Sequence, residues 1–466
     1  MKENNFLIET AKYLPGRLPS LIKKYYRNYG IESTNRILPS VVFNLINNNE
    51  FEKIQKILPD ITNIVSKFSG IQYAYNLLSR IEVIFGLRKP KIGIYDHTFH
   101  LIGGGQKYGC TVAYALQEEC DVTLIANKEV SLEDLKSWYD LDLSKCEIKV
   151  IKIPFYEERG FREIDPGVIT FRMENPFHII SRESGNYDIF INNSMLEMVY
   201  PLSNISILIC HFPERRRANY FYVDKYNYII YNSKYTREWI KKKWGVNPTN
   251  HIYPPVDMIC DERKPQKENI ILSVARFEIG GSKQQLEMIK AFKNLRETYP
   301  EELKEWKLVL AGGSIKENPY LNKIENFLSS VKVNNIELKV NIPIEEIKNL
   351  YKKAKIFWHF CGLNQTDPSM IEHFGMSIVE AMQNWCVPVV FDGGGQKEIV
   401  EEGVSGYRFS NLRELKSKTM RLIKNENLLN KFSEGAFLRG KLFTKEIFIS
   451  KIKNLFNKIL ISYTRV

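Results

Sequence analysis

Short apolar runs alternate with amphipathic helical stretches through most of this chain, in two series separated by one break. The first series opens at KIGIYDH (91–97) and continues through DVTLIAN (121–127), KVIKI (149–153), DIFINN (188–193), ISILICH (205–211) and YIIYNS (228–233). GQKYGCTVAYALQE and TREWIKKKWG read as helices between them. The second series runs through NIILSVA (269–275), KLVLAGG (307–313), IELKVNI (336–342), KIFWHF (355–360) and VPVVFD (387–392). Helical patterns follow each of these in turn: KQQLEMIKAFKNL, YLNKIENFLSSV, IEEIKNLYKKA, SIVEAMQNW and QKEIVEEG. Strands followed by helices mean a parallel sheet covered on both faces. The break, YPPVD (253–257) with an unpatterned polar stretch after it, reads as an interdomain linker. The expected fold is α/β: two doubly wound, Rossmann-like domains facing a cleft, at 89–257 and 258–440. Residues 441–466 form a C-terminal helix that can cross back to the first domain. Residues 1–88 read as a helical extension, in stretches such as EFEKIQKILPDITNIVSKF with apolar residues at three and four.

At 466 residues the chain exceeds one ordinary core, which agrees with two domains and an appendage. Its seven cysteines are scattered and form no CxxC pair, which argues against a disulfide framework or a zinc site and for a reducing cytosol. The start of the sequence has no long apolar core, so no signal peptide is expected. No run approaches the ~18 apolar residues of a spanning helix. A cytoplasmic location follows. The net charge is +12, and residues 1–90 hold thirteen Lys and Arg against seven Asp and Glu. That bias can attract anionic lipid and so hold the protein peripherally at an inner membrane face. A solvated, lysine-rich surface explains the charge as well. No nucleic-acid motif is present, so no such partner is expected.

Ligands of open parallel sheets sit where strand ends lead into helices, and the motifs belong there. EHFGMSIVEAM (372–382) places Glu372 before a glycine and Glu380 inside a helix. A helix N-terminus offers unpaired N–H groups and about half a unit of positive charge, for which phosphate is the natural guest. Gly375 allows close backbone approach. Glu380 can accept two hydroxyls of a ribose, and Glu372 can reach beyond the phosphate. Phosphate flanked by polyhydroxyl groups describes a nucleotide-sugar. A dipole partner and a surface acid would produce the same two glutamates. LIGGGQKYG (101–109) contains Gly103, Gly104 and Gly105 at the start of a helix, as a phosphate loop or as a plain turn. His97 and His100 have a possible ligand spacing, but no convincing third ligand is near, and an ordinary structural role is the better reading, with lining of the acceptor side by His97 or His100 left open.

EHFGMSIVEAM, with VPVVFDGGGQKEIVEEGVSGYRF (387–409) after it, resembles the E-x7-E signature and continuation of the retaining glycosyltransferases of family 4. The resemblance spans about 90–440 and is strongest over 253–409. YPPVD, SVARFEIGGSKQQLEMIKAF, KLVLAGGS and NIPIEEIKNLYKKAKIFWH are similar to the subset holding the lipid-linked-oligosaccharide α-1,2-mannosyltransferase-like and bacterial group 1 enzymes. The resemblance implies GT-B architecture and transfer of a hexose, of mannose or glucose type, from GDP-mannose or a UDP-sugar. The acceptor would be a glycan, a lipid-linked acceptor or another molecule. A non-catalytic GT-B partner subunit of a glycosylation complex is the alternative.

Site roles follow from the same resemblance. Arg276 and Lys283 would clamp the donor diphosphate and stabilise it as it gains charge on leaving. Glu372 would grip the transferred sugar, and His211 would lie near it. Gly103, Gly104 and Gly105 would touch the phosphate from the first domain. Ile342 would hold the base, and Phe374, Gly375, Met376, Ser377 and Glu380 would complete the donor site. By their charge and their place just past His211, and not by the resemblance, Arg215, Arg216 and Arg217 are candidates for a phosphorylated or lipid-linked acceptor, or are simply solvated. The reaction would retain configuration, by departure and attack on one face, with the leaving diphosphate taking the acceptor proton. Neither a metal nor another cofactor is expected, since the cations replace the metal.

Overall fold

In the computed structural model the described residues are 82–83, 88–160, 164–170, 172–213, 220–257, 262–331 and 335–464. The helices expected over 1–88 fall almost wholly outside them, as do Arg215, Arg216 and Arg217.

The first domain comprises β1 (Lys91–Tyr95), α1 (Gly104–Leu116), β2 (Asp121–Ala126), α2 (Leu132–Tyr139), β3 (Glu147–Val150), α3 (Pro154–Glu158), α4 (His178–Ser184), β4 (Ile189–Asn192), β5 (Ile205–Cys210), β6 (Tyr228–Tyr231), α5 (Lys234–Trp244) and β7 (Asn250–His251). The second comprises β8 (Glu268–Val274), α6 (Gln285–Thr298), β9 (Lys307–Gly312), α7 (Pro319–Val331), β10 (Ile336–Val340), α8 (Ile344–Lys353), β11 (Ala354–His359), α9 (Met376–Gln383), β12 (Val387–Phe391), α10 (Gln396–Ile399) and β13 (Tyr407–Phe409). The chain ends in α11 (Leu412–Ile423), α12 (Glu426–Gly440) and α13 (Lys445–Thr464). Strand order is β3-β2-β1-β4-β5-β6-β7 in one sheet and β10-β9-β8-β11-β12-β13 in the other, and the named pairs run parallel.

Burial on both faces explains why the strands read as continuous apolar runs. Along β5, Ile205, Ile207 and Ile209 enter one core while Leu208 and Cys210 enter the core on the opposite face. β11 does the same, with Ile356 and Trp358 on one side and Phe357 on the other. Strand order reverses between β1 and β4 in the first sheet and between β8 and β11 in the second. At such a reversal the loops leave to opposite faces and open a crevice beyond the strand ends. The loops after these four strands therefore decide what the molecule can bind.

The last helix belongs to the first domain. Phe448, Ile452, Leu455, Phe456 and Ile459, spaced by three and four, are buried in the core beneath β1 and β2. The Phe448 ring meets Tyr108 of α1 edge-on at 4.7 Å. The chain therefore crosses between domains twice, and the two crossings run side by side. Val256 bridges Thr444, and Lys445 N–H donates to the Val256 carbonyl at 2.9 Å. Asp257, which ends the YPPVD break, pairs with Lys107 of α1 and with Lys445 at 3.0 Å. No helix among the described residues is long and apolar enough to cross a membrane.

Candidate active site between the two sheets

The loop leaving β8 carries Lys283 ahead of α6, not within it. Gln284 adopts a left-handed backbone (φ 61°), so the helix begins at Gln285 and the lysine is left on the loop. Lys283 Nζ donates to Glu372 Oε2 at 2.9 Å, with side chains 21% and 17% exposed. His359, at the end of β11, stands 3.4 Å from the same oxygen through Nε2. Burial opposes the charge on Glu372, but the charges and hydrogen bonds of Lys283 and His359 outweigh it and hold the carboxyl well below the usual range. Burial likewise opposes the charge on Lys283, and the field of Glu372 reverses that and raises it. Neighbouring Cys361 is pushed up to about 12 by burial, so it is a thiol here.

Glu372 leads into α9, whose N-cap is Gly375 at φ 111°. That conformation suits glycine, and a Cβ there would stand 2.7 Å from Ile378 Cδ1. No side chain caps this helix and its first turn holds no acid, which leaves the N-terminus to a ligand. A shelf of glycines holds the approach. A Cβ on Gly394 would lie 2.1 Å from the Glu372 carbonyl, and one on Gly395 would lie 2.3 Å from the His373 carbonyl. Further along α9, Glu380 accepts from the Tyr351 hydroxyl at 2.7 Å and keeps its other oxygen for a ligand.

On the opposite side, Gly103 is the extended N-cap of α1, again with no side-chain cap. Tyr139 pins this loop: its hydroxyl accepts from Gly103 N–H at 3.1 Å and donates to the Leu101 carbonyl at 3.3 Å. A methyl on Gly104 would stand 2.9 Å from Met376 Sδ, so the glycine loop of one domain abuts the first residue of α9 in the other. Gly105 lies against His211, with a Cβ-to-Cδ2 distance of 3.3 Å. His211 is lowered to about 4 by burial and is a neutral ring near pH 7. Its Nε2 faces Asn193 Oδ1 at 3.2 Å. Asn193 Nδ2 donates to Asp96 at 2.6 Å and to the Gly105 carbonyl at 3.0 Å, so its oxygen must face the ring. The Nε2 atom therefore carries the proton.

The structure thus brings together Lys283 with Glu372, Gly104 with Met376, and Gly105 with His211. Ser377 sits half-buried in the first turn of α9 beside them. Arg276 stands apart: its side chain is 67% exposed and pairs with Glu278 at 3.2 Å. Phe374 does not offer its ring to the cleft. It is buried between Tyr253 and Phe443, because the aromatic side chain fills the core where the linkers cross. Ile342 follows β10, the outer strand, three places from β11 in the sheet order. At about 4.8 Å per strand that is roughly 14 Å away, a distance a whole nucleotide can span. Sequence reasoning missed Asp96, Asn193, Gln396 and Tyr139. The signal for the first two was present, as polar residues just past the ends of β1 and β4, the strands at the first sheet's reversal.

The arrangement offers a helix N-terminus for an anion, a lysine that can turn to it, and carboxylates on either side for hydroxyl groups. A neutral imidazole faces them from the other domain. Residues 258–439 match the glycosyl transferases group 1 family. The human GDP-Man:Man(3)GlcNAc(2)-PP-Dol alpha-1,2-mannosyltransferase is 31% identical over 180 residues, which cover 36% of this chain and 35% of that protein. The chain thus aligns with about a third of that relative's length. Among solved structures, Anabaena HepE in complex with UDP and glucose superposes with a TM-score of 0.60 at 16% identity, covering 79% of this chain and 100% of that one. Sucrose-phosphate synthase from Thermosynechococcus elongatus gives 0.59 at 15% identity, covering 80% and 100%. These likenesses show the two-domain GT-B fold. Residues 258–439 therefore form a glycosyl transferases group 1 domain, set in a chain of GT-B architecture.

Proposed function

We propose that the protein is a retaining glycosyltransferase that moves a hexose from a nucleotide-sugar, GDP-mannose or a UDP-sugar, to a glycan or lipid-linked acceptor. The observation that carries this reading is the Lys283–Glu372 pair beside the uncapped start of α9, facing the glycine loop of the other domain. The diphosphate would lie at the N-terminus of α9 and draw Lys283 to itself. Arg276, on an exposed side chain, would leave Glu278 and close on it from the loop after β8. Glu372 would hold hydroxyls of the hexose, and Glu380 the ribose. As the bond to the anomeric carbon breaks, negative charge grows on the diphosphate, and the helix N-terminus and the cations stabilise it more strongly than in the ground state. The acceptor hydroxyl would attack from the same face and pass its proton to the leaving phosphate oxygen. His211, neutral and with its Nε2–H held by Asn193, would serve as a hydrogen-bond acceptor through Nδ1 and not as a cation. The cations do the work a metal would do, so the reaction would proceed without one. The basic residues before 90 support a peripheral position on an anionic membrane that carries the acceptor.

The test is nucleotide release from a panel of UDP-, GDP- and ADP-sugars, beside a Glu372→Ala, Lys283→Ala double variant and with EDTA present. Release from one donor, lost in the variant and unchanged by EDTA, is the expected result. If no nucleotide-sugar is turned over and none binds by calorimetry, the transferase reading fails and a non-catalytic partner subunit takes its place.

A further inference from the structure

The site contains a buried imidazole that the proposed reaction leaves unused. His359 is 2% exposed, and its Nε2 stands 3.4 Å from the Glu372 oxygen that also accepts from Lys283. Its Nδ1 lies 3.0 Å from Gln396 Oε1. The orientation of that amide is dictated by its other end. Gln396 Nε2 donates to the Cys361 carbonyl at 2.9 Å and to the Gly393 carbonyl at 3.3 Å, and carbonyls only accept. Oε1 must then face the ring and accept from Nδ1–H, so Nε2 donates to Glu372 as the second N–H of a doubly protonated ring. Gln396 is itself fully buried, so the ring is anchored to the glycine shelf on one side and meets Glu372 on the other.

Glu372 thus has two partners of different character. Lys283 is a flexible amine on a loop, and an arriving diphosphate competes for it. His359 is the last residue of a buried strand and has nowhere to go. We propose that His359, anchored by Gln396, is a positioning residue that keeps Glu372 aimed at the donor's hexose once Lys283 turns to the diphosphate. This rests on the transferase reading above. It separates two tasks within one loop: nucleotide binding, which needs the helix and Lys283, and sugar binding, which needs the Glu372–His359 contact.

Two variants distinguish this role from packing. An asparagine amide reproduces the Nδ1 end of the ring and keeps Gln396 but not Glu372, and a glutamine amide reproduces the Nε2 end. Calorimetry on wild type, His359→Asn and His359→Gln would compare UDP and GDP with the corresponding nucleotide-sugars. The expected result for His359→Asn is unchanged nucleoside diphosphate affinity and loss of about tenfold in nucleotide-sugar affinity, the size of one hydrogen bond to a charged group. His359→Gln restores most of it. Equal losses for diphosphate and nucleotide-sugar, or no loss in His359→Asn, overturn the proposal. A ligand-free arm uses histidine-selective 15N NMR: Glu372→Gln shifts the His359 Nε2 resonance if the contact exists, and an unmoved resonance overturns the proposal. A wild type that binds no nucleotide-sugar while His359 still responds to Glu372→Gln overturns the transferase reading, and with it the role assigned to a contact that is itself real.

Discussion

Single buried residues set how the protein responds to acid. His211, His251 and His373 are each lowered to about 4, in every case chiefly by burial, from an ordinary value of 6.5. Between those two values the unfolded chain binds protons that the folded one refuses, so stability rises with pH across that window and is lost as pH falls from about 6.5 to about 4. Glu372 acts in the same sense but at lower pH. Its folded value is depressed, so its contribution is fully present above the ordinary carboxylate value of about 4.3 and is lost only below it. A denaturation series should therefore show the midpoint falling from pH 6.5 downward, before the carboxylates titrate. In His211→Asn the fall should be shallower, and an unaltered slope would remove His211 from the account. The Lys283–Glu372 pair makes a second prediction at this scale. Lys283→Met leaves a carboxylate with His359 as its remaining neighbour in the cluster, and should lower stability by about 3 kcal/mol, the low end for breaking a buried pair. Lys283→Met with Glu372→Gln should recover most of that while remaining inactive. Urea titrations of the three proteins decide it, and a double variant as unstable as the single one would mean the pair is not the cause.

Elements place these residues, and here the sequence was legible to unequal degrees. Strands buried on both faces announce themselves as apolar runs, and so the series from β1 to β12 could be read directly. β7 and β13, two and three residues long, are too short to carry a pattern. The helix after VPVVFD is only Gln396–Ile399, because the glycines before it must lie flat under the Glu372 backbone. The E-x7-E stretch could be placed at a strand-to-helix loop from its glycine and its spacing. That Lys283 reaches Glu372 and Arg276 does not could not be read. Both follow the same strand, and the difference lies in the left-handed turn at Gln284, which spacing does not encode. Partners supplied from elsewhere in the chain, such as Gln396 for His359 or Asn193 for His211, were invisible for the same reason. The glycine shelf carries its own prediction. Gly395 has φ −68°, an ordinary value, so Gly395→Ala introduces no backbone strain of its own. Its methyl would collide with the His373 carbonyl at 2.3 Å and with Phe374 Cα at 2.5 Å, both backbone atoms with little room to move. The loop must shift, at about 1–3 kcal/mol for such overpacking. Donor binding should weaken by about tenfold or more, since misplacement by an ångström is costly in a positioned site. Calorimetry with the nucleotide-sugar checks this, and unchanged affinity would show that the shelf does not set the loop.

At the scale of the whole molecule the question is what holds two domains at the spacing the cleft needs. Glu398, on α10 of the second domain, reaches across to the start of α5 in the first. Its carboxylate oxygens accept from the backbone N–H groups of Lys234 and Tyr235, both at 2.9 Å, and one of them also accepts from the Tyr253 hydroxyl at 3.0 Å. Ser233 of α5 caps its own Thr236 N–H at 3.0 Å, so the first three amides of that helix are satisfied, two of them by the other domain. The ring of Phe212, next to His211, stacks on His373 at 4.0 Å and 3°. Tyr235 donates to the Pro368 carbonyl at 3.0 Å. These contacts tie the loop carrying His211 to the loop carrying Glu372, so the orientation of the domains and the geometry of the cleft are one variable. Loss of an N-cap carboxylate costs about 0.5–2 kcal/mol. In this molecule that loss falls on domain orientation and not on the folding of either half, because both cores are intact without it. Glu398→Ala should therefore melt nearly as wild type and broaden the distribution of domain separations seen by small-angle scattering. Its affinity for a nucleoside diphosphate, which the proposed function assigns to the second domain, should be kept. Turnover, which on the proposed function needs Gly104, Gly105 and His211 brought to bear from the first domain, should fall by about the factor that the lost cap energy implies, roughly 2- to 30-fold. Glu398→Gln retains one acceptor oxygen but turns an amide donor towards a backbone N–H, so it should rescue only in part. If Glu398→Ala scatters as wild type does and turns over as fast, the domain orientation is held by the Phe212 and Tyr235 contacts and the paired crossings at Val256 and Thr444, and the carboxylate is a local cap that happens to span the cleft.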